Sequence, residues 1–383
     1  MNFDWTDSQA AFRQRLRDFL AANLPANWEE MAVHGPASDE VSAFSRTLCA
    51  KLAEADLLIP HWPREWGGQG LDPWCQLILA EEMWLVGEPR GGQYMNVNWI
   101  GPTLMRYGSE AQRARYLPPI ARGDAIWCQG FSEPDAGSDL AALRTKATLD
   151  GDVYRIEGQK IWTSYAGKAE TCFLLARTSP DRKRGISIFL VPMDTPGITV
   201  RSIPSLIGEG DIHELFFDDV VVPADARLGD EGEAWGIIAY SLKNERLGIP
   251  RYALARRALD RAVAILKSRG RFDSDAVRIR AARAAALCES ARLMSYALID
   301  QRARGLEVGP EASAARVATV MAERAAGEFV VEQLPETLAE HQGDPLLLAH
   351  HQRAIVAGIA SGAAEIQLNI VAGDVLQLPR EAR

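Results

Sequence analysis

Several common routes to function are closed by what this sequence of 383 residues has little of. Cysteine is scarce: Cys49, Cys75, Cys128, Cys172 and Cys288 are scattered, odd in number and without metal-ligand spacing. A disulfide scaffold and a zinc module are therefore set aside, and no metal is expected. Reduced thiols in a cytoplasmic protein fit best. No apolar run approaches the roughly 20 residues of a bilayer-spanning helix, so no membrane partner is expected. Met1 to Arg17 is polar and periodic, without the apolar core of a signal peptide. Basic excess is missing too. Lys plus Arg number 42 against 51 Asp plus Glu, a net charge of −9. That balance argues against nucleic acid as a partner, yet a few arginines can still serve one small anionic ligand.

Three textures follow one another along the chain, with no internal repeat. From residue 1 to 123 the apolar residues recur at helical spacing: Phe12, Leu16 and Phe19–Leu20, then Leu48, Leu52 and Leu57–Leu58. Pro60 to Pro73, rich in Pro and Gly around Trp62 and Trp66, reads as an ordered loop. Leu77 to Trp84 and Gln112 to Gly123 read as helices, the second with an exit turn. Residues 124–228 carry short apolar runs punctuated by Gly, Pro and Asp, among them 153–156, 171–176, 186–191 and 215–217. These predict a small domain of antiparallel strands. Residues 229–383 return to the helical period, with Ala and Arg dominant between Tyr252 and Arg324, and predict long packed helices.

Two segments stand out for chemistry. Gln129-Gly130-Phe131-Ser132-Glu133-Pro134-Asp135-Ala136-Gly137-Ser138-Asp139 sits where the helical section meets the strands. Such a loop can bring backbone N–H groups to a flat heteroaromatic ring or a phosphate; taken alone, an ordinary connection is the simpler reading, because Gly/Ser/Asp/Pro loops are common. Some thirty residues on, Gly158-Gln159-Lys160-Ile161-Trp162-Thr163-Ser164 sets an aromatic before two hydroxyls. That pattern suits stacking on a ring and bonding its edge, or a core Trp followed by a capped turn; taken alone, the core Trp is the simpler reading.

Together the two segments resemble the acyl-CoA dehydrogenase family, which carries Ser/Thr-Glu-Pro-x-Ala-Gly-Ser-Asp and then Gly-x-Lys-x-Trp-x-Ser/Thr. Further matches are Pro63 to Gly70, Gly108-Ser109-Glu110 to Gln112, Tyr116-Leu117-Pro118, Phe216 to Pro223 as the last strand of the β domain, Ala364 to Ile370 and Leu378-Pro379-Arg380. About Gly270 to Gly343 matches poorly. The resemblance implies an α+β fold: an N-terminal helical domain, a middle antiparallel β domain and a C-terminal helical bundle. It implies FAD as cofactor, oxidation of an acyl-CoA thioester to the trans-2-enoyl-CoA, and an electron-transfer flavoprotein as acceptor. A carboxylate takes the α-proton and the β-hydrogen leaves as hydride to the flavin. By position, Gln129, Phe131, Ser132, Trp162, Thr163 and Ser164 face the flavin, and Ser138 the pantetheine arm. An oxidase, or a non-catalytic supporting subunit, would share most of these motifs.

The base needs a carboxylate in a water-poor site. Many family members place it near the C-terminus, but that stretch here reads Ile359-Ala360-Ser361-Gly362-Ala363, with Ser361 in the acid's position. The family's second location is the first long helix after the β domain, where this chain has Asn244-Glu245-Arg246. Ile238, Leu242, Glu245 and Ile249 recur at helical steps, so Glu245 is expected on an apolar stripe with a raised pKa. Pairing of Glu245 with Arg246 or Lys243 at a subunit contact is the competing reading. Arg246 and Gly362 join the expected substrate contacts, the Ser361 N–H is expected at the thioester oxygen, and Pro250 is expected to kink the helix. Family homo-oligomers complete each FAD site with Arg-x-x-Phe-Gly and Gln-x-x-Gly-Gly-x-Gly stretches of a neighbour. Here those regions read Arg269-Gly270-Arg271-Phe272-Asp273 and Gln333-Leu334-Pro335-Glu336-Thr337-Leu338-Ala339-Glu340. The phosphate-approaching glycines are gone, and Glu336 and Glu340 stand where an anion would sit. The resemblance therefore points to a hetero-oligomer, α2β2 with a second acyl-CoA dehydrogenase-like subunit, and to a bulky steroid-type CoA ester.

Overall fold

The computed structural model describes residues 5–208, 212–247, 249–339, 343–360 and 362–379, without the side chains of 246 and 247. The first helices are α1 (Asp7–Asn23), α2 (Trp28–Val33), α3 (Asp39–Glu54), α4 (Pro73–Leu85), α5 (Gln93–Met95), α6 (Gly101–Tyr107) and α7 (Glu110–Ala121). Strands follow as β1 (Trp127–Gly130), β2 (Lys146–Asp150), β3 (Val153–Ser164), β4 (Thr171–Arg177), β5 (Ile186–Pro192), β6 (Ile198–Ile203), β7 (Ile212–Pro223) and β8 (Arg227–Leu228). The chain closes with α8 (Ala234–Leu247), α9 (Tyr252–Ser268), α10 (Asp275–Ala303), α11 (Glu311–Gln333), α12 (Pro345–Ile355) and α13 (Ala364–Ile370). This is the three-part helical, β, helical architecture that the motifs imply.

Packing divides the chain into two compact units. A helical unit takes residues 1–33, 70–89 and 245–383, and a sheet unit takes 34–69 and 90–244, so the division falls inside α8. In the helical unit, α1 starts at a reciprocal cap between Thr6 and Gln9 and buries Phe12, Leu16 and Leu20. The apolar face of α9 (Ala255, Ala258, Leu259, Ala262, Leu266) packs with Ala281, Ala284, Cys288 and Ala291 of α10 and Ala322, Ala326, Phe329 and Val330 of α11. Alanine at these contacts lets long helices approach closely without giving up helix propensity. α8 ends at Leu247, ahead of Pro250. The expected kink is instead a break, because the residue before a proline is driven out of the α region.

In the sheet unit the strand order is β6-β7-β3-β2-β4-β5-β8, with β1 added beside β4. The predicted runs lie in β3, β4, β5 and β7, and β8 rather than β7 ends the sheet. The expected antiparallel domain also carries two parallel contacts. β1 runs parallel to β4, with Cys128 opposite Cys172, and β2 meets β4 in parallel at Lys146 and Arg177. Apolar alternation reports which residues face a core, not strand direction. α7 enters with the capping box Ser109/Gln112, and the Gln112 amide also donates to the Asp225 and Arg227 carbonyls at 2.8 and 2.9 Å. One short motif thus caps a helix, worth about 1 kcal/mol, and ties it to the end of the sheet. Among the described residues no helix is long and apolar enough to cross a membrane, and no cluster suits a metal ion.

Candidate active site

In the sheet unit, the two sequence motifs meet. Beyond β1 the chain reverses in a tight turn, where Glu133 and Ala136 exchange backbone hydrogen bonds at 3.0 Å. The Glu133 carboxylate accepts from the backbone N–H of Arg144 at 2.6 Å, that of Thr145 at 2.9 Å and Lys160 Nζ at 2.7 Å. Lys160, wholly buried, also donates to the Phe131 carbonyl at 3.2 Å, and the Ile161 N–H to the Ser132 carbonyl at 2.9 Å. The lysine of the second motif therefore clamps the loop of the first. Burial drives the Lys160 ammonium down to about 8 against the pull of Glu133. Burial also works to raise the Glu133 carboxyl, but Lys160 and the two N–H donors outweigh it and hold the group below its ordinary value. The sequence reading quoted both residues and gave neither a role. Its available signal was a charged pair of opposite sign inside two motifs, since a buried charge persists only when paired.

The clamp sets the geometry of the next residues. The β3–β7 register shifts between Lys160 and Thr163, and Trp162 inside that irregularity has φ +59°. A left-handed conformation costs a non-glycine residue about 1–2 kcal/mol. Here it turns the indole outward: Trp162 is 59% exposed, which overturns its reading as a core residue. Thr163 points the other way and is buried, yet its Oγ1 has no hydrogen-bond partner; on β1, Gln129 Nε2 is likewise buried and unpartnered. Leaving such a group unsatisfied costs about 1–3 kcal/mol, and two of them lie toward the same ends of β1 and β3 as the exposed indole. Phe131, packed on Phe173 at 5.9 Å between centroids, is half-buried, as are Ser132 and Ser164. Ser138 is exposed in the loop beyond the turn. The structure thus gathers Gln129, Phe131, Ser132, Trp162, Thr163 and Ser164 about the ends of β1 and β3.

The helical unit holds the remaining expected residues. Glu245 is half-buried in the last turn of α8. The buried line of that helix is Ala234, Ile237, Ile238, Ser241 and Asn244, so Glu245 borders the apolar stripe instead of lying on it. Ser361, Glu340 and the Arg246 side chain lie outside the described residues. Gly362 is exposed at φ +84°. Glu336 is engaged within the chain, by Arg269 and by Arg271 at 2.9 Å, and Arg271 also donates to the Gln333 carbonyl at 2.6 Å. The acid that looked misplaced for an anion is thus the partner of two arginines, and a backbone hydrogen bond, with the arginines adding to it, holds it below its ordinary value. Sequence spacing did not reveal this, because 65 positions separate Arg271 from Glu336.

Comparison with known proteins agrees with the three-part architecture. Family models match in chain order: "Acyl-CoA dehydrogenase, N-terminal domain" over residues 6–124, "middle domain" over 128–220 and "C-terminal domain" over 232–376. The last spans the stretch that seemed to match poorly. Acyl-CoA dehydrogenase IpdE1 of Mycobacterium tuberculosis is 34% identical over 97% of this chain and 98% of its own. Acyl-CoA dehydrogenase FadE26 of the same organism is 30% identical over the whole of both. Among solved structures, the "Tcur3481-Tcur3483 steroid ACAD" superimposes with a TM-score of 0.90 at 28% identity, covering both chains fully. The ChsE4-ChsE5 complex from Mycobacterium tuberculosis gives 0.89 at 29%, again over both chains. The chain belongs to the acyl-CoA dehydrogenase family and is an oxidoreductase acting on acyl-CoA.

Proposed function

We propose that this chain catalyses FAD-dependent α,β-dehydrogenation of a bulky, steroid-type acyl-CoA to the trans-2-enoyl-CoA, as the base-bearing subunit of an α2β2 hetero-oligomer. The observation that carries the reading is the pair of buried, unpartnered polar groups, Gln129 Nε2 and Thr163 Oγ1, beside the outward Trp162. A flat ring with polar edge atoms fits them: it takes hydrogen bonds from an amide and a hydroxyl and stacks on an indole. FAD meets that description, and Gln129, Phe131, Ser132, Trp162, Thr163 and Ser164 would hold it. When bound, FAD supplies the acceptor for the hydride that leaves the β-carbon.

The rest of the chemistry falls to the chain. The Glu245 carboxylate takes the α-proton, and the Ser361 N–H, beside the permissive Gly362, holds the thioester oxygen as negative charge builds there. Ser138 and Arg246 contact the CoA ester. Domain limits of 1–123, 124–228 and 229–383 go with this reading. So do a cytoplasmic location, favoured by five buried free cysteines, and an electron-transfer flavoprotein as acceptor.

Two observations favour the hetero-oligomer. Arg269 and Arg271 are occupied by Glu336 of their own chain, which leaves little positive charge to offer a neighbour's pyrophosphate. Two of the similar structures, the Tcur3481-Tcur3483 steroid ACAD and the ChsE4-ChsE5 complex, are named as two-component proteins, the first as a steroid enzyme. The test is a panel of CoA esters added to the chain purified with and without its co-expressed partner. Loss of oxidised-flavin absorbance with steroid-type esters, in a complex holding one FAD per heterodimer, is the expected result. A stable homotetramer with one FAD per subunit and full activity would end the hetero-oligomer reading, and preference for short straight-chain esters would end the steroid one.

A further inference from the structure

In the sheet unit, the helical run from α5 into α6 passes through a wide π-helical turn, Asn96–Ile100. Such turns are frequent at functional sites. This one is held firmly by its surroundings. Trp62 Nε1 donates to the Val97 carbonyl at 2.9 Å, Thr103 Oγ1 to the Trp99 carbonyl at 2.6 Å, and Asn96 Nδ2 to the Ala125 carbonyl. Gly101 admits the Trp62 ring, because a Cβ there would lie 2.2 Å from it. At the entry to α5, a Cβ on Gly92 would lie 3.0 Å from the Tyr165 ring and 3.1 Å from Ile126. Ala125 and Ile126 lead into β1, and Tyr165 follows Ser164 at the end of β3. The turn is therefore seated against both strands that carry the expected flavin-facing residues.

The side chains on this run are left unsatisfied. Gln93, Asn96 and Asn98 are each 1% exposed. Neither amide atom of Gln93 has a hydrogen-bond partner, and neither does Asn96 Oδ1 or Asn98 Nδ2. Around the helix Gln93 falls between the other two, because residues three and five positions on lie to either side of it. Each unmet group costs about 1–3 kcal/mol, a penalty that Met or Leu in the same space would not carry, so stability does not account for the trio. A fixed backbone with unmet polar ends is the arrangement of a prepared subsite. Its chemistry is definite. Gln93 Nε2 and Asn98 Nδ2 can donate, Gln93 Oε1 and Asn96 Oδ1 can accept, and none of the three side chains is charged. That set suits an uncharged oxygen, which accepts hydrogen bonds and, as a hydroxyl, also gives one. A phosphate or carboxylate would find no cation among the three. The position against β1 and β3 makes an occupant of the trio a neighbour of the expected flavin site, and the ligand that has to lie beside the flavin is the acyl group.

We propose that Gln93, Asn96 and Asn98 form a specificity subsite for the acyl group, which takes an uncharged ring oxygen, hydroxyl or keto, of the bulky CoA ester. This rests on the functional reading above and deepens it, since it names a feature the acyl group carries and three residues that the sequence motifs do not contain. An ester with the oxygen satisfies the amides as it binds, whereas a hydrocarbon ring of the same shape buries them unpaired. Sites built to hydrogen-bond a substrate oxygen reject the analogue without it for this reason.

The test uses the full complex and a set of CoA esters on one steroid-type ring skeleton, with a hydroxyl or keto oxygen at successive ring positions or with none. Flavin bleaching gives kcat/KM for each ester, and equilibrium dialysis gives its affinity. Gln93→Met, Asn98→Leu and the two together replace unpaired amides by apolar groups of similar size, which strands no partner and leaves folding intact. Expected of the wild type is a preference of roughly 10- to 100-fold for an oxygenated ester over the deoxy one, the worth of a buried polar group left unpaired. The same order should appear in affinity. Hydroxyl favoured over ketone at the best position would put the acceptors Gln93 Oε1 and Asn96 Oδ1 to use, and equal use of both would assign the contact to the donors. Each single variant should lose part of the preference and the double variant most of it. Oxidation of every ester at one rate, or a preference that the double variant keeps, overturns the proposal; variants that then shift only the unfolding midpoint assign the trio to buried water. A wild-type complex that neither binds nor bleaches with any ester overturns the functional reading first, and the proposal falls with it.

Discussion

The sheet unit and the helical unit treat the polar groups at their expected site elements in opposite ways. In the sheet unit the clamp is saturated: Glu133 receives three short hydrogen bonds, while Gln129 Nε2 and Thr163 Oγ1 nearby have none. Rigid support and unmet donors side by side are the pattern of a site prepared for a ligand. In the helical unit the charges at the expected neighbour-facing elements satisfy each other, Glu336 with Arg269 and Arg271. The lesson is that an acid which looks misplaced in a motif can be accounted for by a partner within its own chain.

The largest expected effect sharpens that contrast. Glu245→Gln in the complex should keep fold and flavin and lose about 10²- to 10⁴-fold in turnover, the usual contribution of a general base. Rapid-mixing measurement of flavin reduction checks it, and near wild-type rates would move the base elsewhere. Next comes the clamp. Lys160→Met leaves Glu133 buried without its counter-charge and should cost about 3–5 kcal/mol in denaturant unfolding, with the loop at 131–139 exchanging faster. An unchanged midpoint would mean that backbone donors alone hold Glu133.

A pH titration probes the helical unit. His350 is fully buried and pushed down to about 4 by that burial, against a hydrogen bond to the Glu323 backbone carbonyl and with Arg353 and His351 adding to the depression. Its folded pKa lies below the unfolded value of 6.5, so the unfolded chain takes up the proton first. Stability should therefore be intact above pH 6.5 and fall by about 3 kcal/mol as pH drops toward 4. His350→Gln should flatten part of that slope, and equal slopes in both proteins would dismiss the assignment. The smallest effect is the most discriminating for the sheet unit. Thr163→Val removes an unsatisfied hydroxyl at nearly constant shape. Flavin-free protein should gain about 1 kcal/mol while holding FAD more weakly. Loss of stability without loss of FAD would mean that the hydroxyl has a structural partner instead.

Much of the site was legible because local chemistry repeats there. The turn at Glu133–Ala136, the Trp162–Ser164 trio and the cap at Ser109/Gln112 all lie within short stretches where residue type constrains backbone directly. Strand runs in β3, β4, β5 and β7 were likewise visible as apolar segments between turn residues. Three features were not. The outward turn of Trp162 needs the β3–β7 register shift, which no alternation of residue types announces. The parallel edge at β1 depends on which strand it meets. The edge position of Glu245 on α8 differs from the stripe drawn through Ile238 and Leu242, because what surrounds a helix decides which face is buried.

By itself the sequence determined the order of helical and β sections, the family, and the two motifs that meet at the ends of β1 and β3, since each is a matter of composition and spacing over a few residues. Tertiary structure alone decided the pairings across long separations: Lys160 with Glu133, Arg271 with Glu336, and Arg316 with the Ala360 carbonyl. The physical reason is that burial and hydrogen bonding are settled by neighbours in space. A charged residue reads the same in sequence whether it is solvated, paired or holding a peptide in place, and only packing tells these apart.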